Sequence, residues 1–164
     1  MSRGFKLVDD KFKEHSKVVN VHGERHTFYP DIKLPQRADA QSAGYDFYSP
    51  IDFKIDPKDT FVLWTNVKAY MEPDEVLELH VRSSIGIKKN VTLANVTGII
   101  DASYYENPSN DGNIGLALRN NTGITVEFKK GDRIAQGLFK KYLVAEGDAP
   151  IKKERTGGSG SSGD

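Results

Sequence analysis

The chain has 164 residues, 37% of them apolar, which is enough for one domain with a real core and too many for a disordered chain. Lys+Arg and Asp+Glu number 23 each, so the formal net charge is zero and no broad basic face for non-specific nucleic-acid binding is expected. There is no cysteine, which excludes disulfides, thiolate zinc sites and cysteine nucleophiles.

Residues 1–27 are charged and weakly patterned, with one short strand expected over Phe5 to Val8 and an exposed excursion after it. This segment has no apolar stretch of signal-peptide length, and no later run could span a membrane. A cytoplasmic protein is therefore expected. His15, His22 and His26 fall in the excursion, but only the last two share a helical i, i+4 spacing and no coordination set is completed around them.

Residues 28–150 read as a β domain. Phe53 and Ile55 alternate with polar neighbours before a Pro57-Lys58-Asp59 turn, and Phe61 to Met71 is one run rich in β-formers. Leu77, Leu79 and Val81 alternate with Glu78, His80 and Arg82. Ile114, Leu116 and Leu118 repeat the pattern, as do Ile124, Val126 and Phe128, and Ile134 to Val144 reads as a final long strand. Asn120-Asn121-Thr122-Gly123 and Lys130-Gly131-Asp132 supply turns. Short strands at such spacing predict an all-β sandwich or barrel. The one helix signal is a turn or two near Ser83-Ser84, where serine can cap free N–H groups. Residues 151–164 form a Gly/Ser tail with linker composition.

Four places could carry chemistry. Asp101 ends the apolar run Gly98-Ile99-Ile100 after a glycine hairpin, where a carboxylate could orient a water and take its proton; a plain turn-forming Asp fits as well. Arg82-Ser83-Ser84 gathers a guanidinium, hydroxyls and N–H groups as a phosphate requires, and an ordinary cap beside a surface arginine is the alternative. Arg133 and Gln136 could reach an anion or simply line a solvated strand edge. Arg155 precedes glycines whose N–H groups could wrap a polyphosphate, unless the tail is only a linker.

The order and spacing of these segments are more specific than any one of them. Ser42-Ala43-Gly44-Tyr45-Asp46, Arg82-Ser83-Ser84, Gly98-Ile99-Ile100-Asp101-Ala102-Ser103-Tyr104, Gly131-Asp132-Arg133-Ile134-Ala135-Gln136 and Arg155-Thr156-Gly157-Gly158 closely resemble the five motifs of the trimeric dUTPase family, in family order. The Arg-Ser-Ser form and the Tyr104-Tyr105 pair with its extra loop look most like the enzymes of Gram-positive bacteria and their phages.

The resemblance implies a distorted jelly-roll β-barrel, a homotrimer with interface active sites, and hydrolysis of dUTP to dUMP and pyrophosphate. It implies Asp101 as the water-activating base and Tyr104 as the aromatic under the deoxyribose. Asn95 and the backbone of Gly98, Ile99, Ile100 and Gly115 would read uracil. Arg82, Ser83, Ser84 and, from a neighbouring subunit, Gln136 would meet phosphates, with Asp46 and Arg133 supporting them. Arg155, Ser159, Gly160 and Ser161 belong to the tail that closes over the nucleotide. The resemblance also implies an Mg²⁺ held by the substrate phosphates, with no direct protein ligand. No nucleic-acid or membrane partner is implied, and a regulatory protein partner is left open.

Three departures stand out. Ser159 replaces the tail aromatic that usually stacks on uracil, a loss worth on the order of 1–3 kcal/mol by analogy with other base-stacking sites. Glu106 to Asp111 lengthens the turn after the third motif, and the N-terminal excursion exceeds what the family needs. Two alternatives remain in view: the related dCTP deaminases, whose proton-shuttle glutamate would fall on Ala117, and a non-catalytic nucleotide- or protein-binding trimer.

Overall fold

The computed structural model describes residues 2–15, 18–20, 25–26 and 31–150, with side chains described for 2–12 and 31–150. In chain order the strands are β1 (Gly4–Leu7), β2 (Val18–Asn20), β3 (Arg25–His26), β4 (Gln36–Arg37), β5 (Tyr45–Tyr48), β6 (Phe53–Ile55) and β7 (Thr60–Trp64). They continue with β8 (Val67–Tyr70), β9 (Glu75–Val81), β10 (Val91–Leu93), β11 (Gly98–Asp101), β12 (Gly115–Asn120), β13 (Val126–Phe128) and β14 (Arg133–Lys141).

One five-stranded sheet runs β10-β12-β7-β2-β3 and a second runs β11-β9-β14-β5-β4; the ribbons β1-β8 and β13-β6 complete the body. Every pairing is antiparallel. A single apolar cluster draws on both sheets, with Leu77, Leu79, Phe47 and Ile134 from one and Leu63, Leu116 and Leu118 from the other. The alternation in β9 explains its orientation: Leu77 and Leu79 are buried while Glu78 and His80 stay half exposed. Phe53 stacks on Phe61 at 4.5 Å and on Phe128 at 4.7 Å, tying the β13-β6 ribbon to β7.

The all-β expectation holds, and three boundaries move. The run 61–71 breaks at Thr65-Asn66, where Asn66 takes φ 58° and its N–H donates to Asn113 Oδ1 at 2.9 Å, so β7 and β8 join different partners. Asn tolerates the left-handed region because its short amide bonds locally. Ile124, expected in a strand, is 71% exposed, because β13 first meets β6 at Val126↔Ile55 and nothing pairs before it. β14 stops at Lys141, whose register partner Glu75 is the first residue of β9, and Leu143 beyond it is 98% exposed. The strand expected near the N-terminus is β1; its Phe5 packs against Tyr45, Phe47 and Phe139 at 5.2–5.6 Å.

Candidate active site

The second sheet gathers four of the expected residues at one end. Asp46 on β5 is buried, and its carboxylate lies 3.0 Å from Nε of Arg82 and 3.4 Å from Nη1 of Arg133. Two guanidiniums from separate strand ends thus neutralise one buried carboxylate, as a desolvated charge requires. Gln136 pairs with Asp46 across β14 and β5, and its amide lies over Gly44, where a Cβ would come within 2.7 Å of Oε1. Glycine at 44 therefore makes room for that side chain.

Arg82 follows Val81, the last residue of β9, and leads into one turn of helix, Ser84–Lys88, in which the N–H groups of Ile85 and Gly86 both reach Arg82 O at 2.9 Å. Sequence reasoning placed this turn correctly, but not its cap. Ser83 makes no side-chain cap bond, because its own φ and ψ are already helical (−53°, −40°) and aim the hydroxyl away from the first N–H groups. Ser83 and Ser84 are both exposed.

At the other end of this sheet, β11 runs beside β9 with Gly98 opposite Leu79 and Asp101 opposite Val76. Asp101 is exposed, with extended backbone (φ −77°, ψ 155°) before the short turn Ala102–Tyr104. Tyr104 is 5% exposed; its hydroxyl donates to Asn113 O at 2.7 Å and accepts from Asn110 Nδ2 at 2.7 Å. With its proton committed, this tyrosine can offer a neighbour ring surface, not a donor.

The turn over residues 94–97 differs from the expected hairpin. β10 and β11 lie in different sheets, so the turn carries the chain from one sheet to the other. Ala94 N–H still bonds Ala117 O at 2.8 Å, and Val96 N–H then bonds back to Leu93 O at 3.0 Å as the chain leaves β12. β12 runs on past this departure to Gly115, which pairs with Trp64 of β7. Val96 takes φ 65°, a costly conformation for a β-branched residue, and Asn95 and Val96 are exposed there. Ile99 is also exposed and Ile100 packs on the core. Gly115 lies under the Trp64 ring, where a Cβ would sit 2.9 Å from Cζ3. Trp64 was not foreseen; its only trace in the sequence is an aromatic ending a β-run.

The two ends do not meet within one chain. Asp101 is level with Val76 and Arg82 follows Val81, six residues further along β9, a separation of about 20 Å at the usual strand rise. Asp46, Arg82, Arg133 and Gln136 form one group; Asp101, followed by Tyr104, lies apart from it at the end of β11, and Gly98 is level with Leu79 between the two. Arg155, Ser159, Gly160 and Ser161 lie outside the described residues, as do the side chains of His15, His22 and His26. Among the described residues no three His, Cys, Asp or Glu groups could hold a metal ion, and no helix is long and apolar enough to cross a membrane.

The candidate site thus combines an exposed carboxylate at the end of an edge strand with an arginine pair on a buried carboxylate further along the same sheet. The dUTPase family model matches residues 30–163. The deoxyuridine 5'-triphosphate nucleotidohydrolase of Lactococcus lactis is 43% identical over 133 residues, covering 80% of this chain and 89% of that one. The human mitochondrial deoxyuridine 5'-triphosphate nucleotidohydrolase is 33% identical, covering 79% of this chain and 50% of that one. The dUTPase structure from Streptococcus mutans superposes with TM-score 0.72 at 35% identity, covering 88% of this chain and 99% of that one. A Staphylococcus bacteriophage 80alpha dUTPase shares the fold at TM-score 0.66 and 20% identity, covering 93% and 97%. The chain belongs to the dUTPase family.

Proposed function

We propose that this protein hydrolyses dUTP to dUMP and pyrophosphate, with Asp101 as the base. The observation that carries the reading is the exposed Asp101 at the end of β11, the strand that follows the 94–97 turn. Asp101 takes a proton from water as the water oxygen bonds the α-phosphorus; the bond to the bridging oxygen breaks and pyrophosphate leaves. A carboxylate at a rigid strand end can hold that water in line, an effect worth roughly 10²–10⁴ in rate. Asn95 and the backbone of Gly98, Ile99, Ile100 and Gly115 read uracil. A site whose buried donors and acceptors match uracil rejects cytosine, because exchanged groups leave polar atoms unpaired. Tyr104 forms the floor beneath the deoxyribose.

Arg82, Ser83, Ser84 and Gln136 receive the phosphates, with the Asp46 carboxylate orienting Arg82 and Arg133 sharing that carboxylate. The span between Asp101 and Arg82 supports a homotrimer in which one subunit supplies the base and another the phosphate contacts. Arg155 and the tail through Ser159, Gly160 and Ser161 close over the γ-phosphate from the chain end. Mg²⁺ would be held by the substrate phosphates, with no direct protein ligand, and would neutralise their charge. The protein works in the cytoplasm.

Pyrophosphate release in Mg²⁺ across dUTP, dCTP, dTTP and UTP tests the proposal, with turnover expected for dUTP alone. Deamination of dCTP would revive the rival enzyme class, which Ala117, half-buried and without a carboxylate, argues against. No turnover of any nucleotide would sink the catalytic reading.

A further inference from the structure

Lys68, on β8, is 2% exposed and plays no part in the chemistry above. Its Nζ lies 2.8 Å from Asp111 Oδ2, 3.5 Å from Glu106 Oε1 and 3.6 Å from Asp9 Oδ1. Burial alone would lower its pKa, yet Asp111, Asp9 and Glu106 together raise it, so the ammonium stays charged. The same Asp111 Oδ2 accepts the Asp9 N–H at 2.7 Å. One buried cation therefore joins the segment after β1, which precedes the family-matched stretch, to the extra loop at 106–111.

That loop is held against its own backbone preference, with Glu106 and Asp111 at φ 54° and 59°. Its interior is wired to Tyr104. Asn107 Nδ2 donates to Tyr104 O at 2.9 Å and to Asn110 Oδ1 at 2.7 Å, and Asn110 Nδ2 donates to the Tyr104 hydroxyl. That hydroxyl bonds Asn113 O, and the Asn113 amide is fastened to Asn66 at 2.9 and 3.1 Å. The Tyr104 hydroxyl is thus bonded to Asn110 inside the loop anchored by Lys68 and to Asn113 just beyond it.

We infer that Lys68 and Asp111, with Asp9 of the N-terminal strap, are positioning residues that fix the height of the Tyr104 ring and thereby set the preference for deoxyribo- over ribonucleotides. The inference rests on Tyr104 being the floor of the sugar site. A 2′-hydroxyl is one oxygen larger than the hydrogen it replaces, so a floor free to sink slightly admits it. Removing the ammonium leaves the Asp111 carboxylate buried without its cation, which drives the loop to rearrange.

The test is kcat/KM for dUTP divided by kcat/KM for UTP, in the full chain with Mg²⁺. Lys68→Met is expected to lower that ratio about tenfold, within the range that small steric changes in a pocket produce. Most of the change is expected as a gain on UTP, with Lys68→Arg restoring part of the ratio. Asn110→Ala and Asp9→Ala, milder changes nearer the surface, are expected to lower it by smaller factors and decide the matter if Lys68→Met does not fold. Folded variants that melt earlier but keep the wild-type ratio would overturn the inference, since a merely structural ion pair predicts that outcome. Tyr104→Ala separates the two levels. A collapsed ratio there with intact ratios in the network variants defeats only the positioning role; an unchanged ratio in Tyr104→Ala defeats the sugar-floor reading and the inference with it.

Discussion

The buried carboxylate of Asp46 lies 3.0 Å from Nε of Arg82, so the second motif of the sequence is oriented by the first across β14, the strand between β5 and β9. Arg82 is 25% exposed, which leaves its remaining N–H groups available to an anion. Asp46→Ala is expected to cost about 2 kcal/mol of stability, the scale of a lost hydrogen bond to a charged group. The KM for dUTP should rise more than the affinity for dUMP falls, because the β- and γ-phosphates lose an oriented guanidinium. Thermal melts and steady-state kinetics measure both; an unchanged KM would show that Asp46 does not position Arg82.

Asp101→Asn should lower kcat by roughly 10²–10⁴ while dUTP still binds, since the amide keeps the shape but cannot take a proton. The side chain is exposed, so the melting temperature should barely move. Isothermal titration with a non-hydrolysable analogue alongside single-turnover kinetics would reveal a wrong assignment as retained turnover.

The distance along β9 between Asp101 and Arg82 predicts complementation. Asp101→Asn and Arg82→Ala should each be inactive, yet equal mixtures refolded together should regain about a quarter of wild-type activity if each site takes one residue from each of two neighbouring subunits. Mixtures that stay inactive would place both residues in one subunit's site.

Gly115→Ala brings a Cβ to 2.9 Å from the Trp64 ring. The ring or the strand must shift, at about 1–3 kcal/mol. A weakened uracil slot should appear as a higher KM with little change in kcat; the reverse split would remove Gly115 from base reading.

Arg3 holds Glu75 through its Nε at 2.9 Å from each carboxylate oxygen, and this bond lowers the Glu75 pKa. A carboxyl lowered on folding adds stability that is whole above its ordinary value of 4.5 and is lost as pH falls through the folded value. Arg3→Ala should therefore melt earlier than wild type at pH 7, with the gap closing in acid. A gap that stays constant with pH would mean that Arg3 acts by packing.

The sequence by itself determined the strands whose faces are unlike. Leu77 and Leu79 against Glu78 and His80, or Leu116 and Leu118 in β12, leave one burial choice because a one-residue slip would expose the apolar set. The motif order likewise singles out Asp46, Arg82, Asp101, Tyr104 and Gln136 as candidates. Local pattern could not say where strands stop, since Ile124 and Leu143 are apolar yet have no partner strand in reach. Nor could it say that Lys68, a charged residue in an apolar run, would be buried by three carboxylates drawn from positions 9, 106 and 111. Which sheet β10 and β11 join, and the span that keeps Asp101 from Arg82, were decided only by the tertiary structure. Long-range pairing depends on which edges the rest of the chain leaves open, and that information is absent from any window of neighbouring residues.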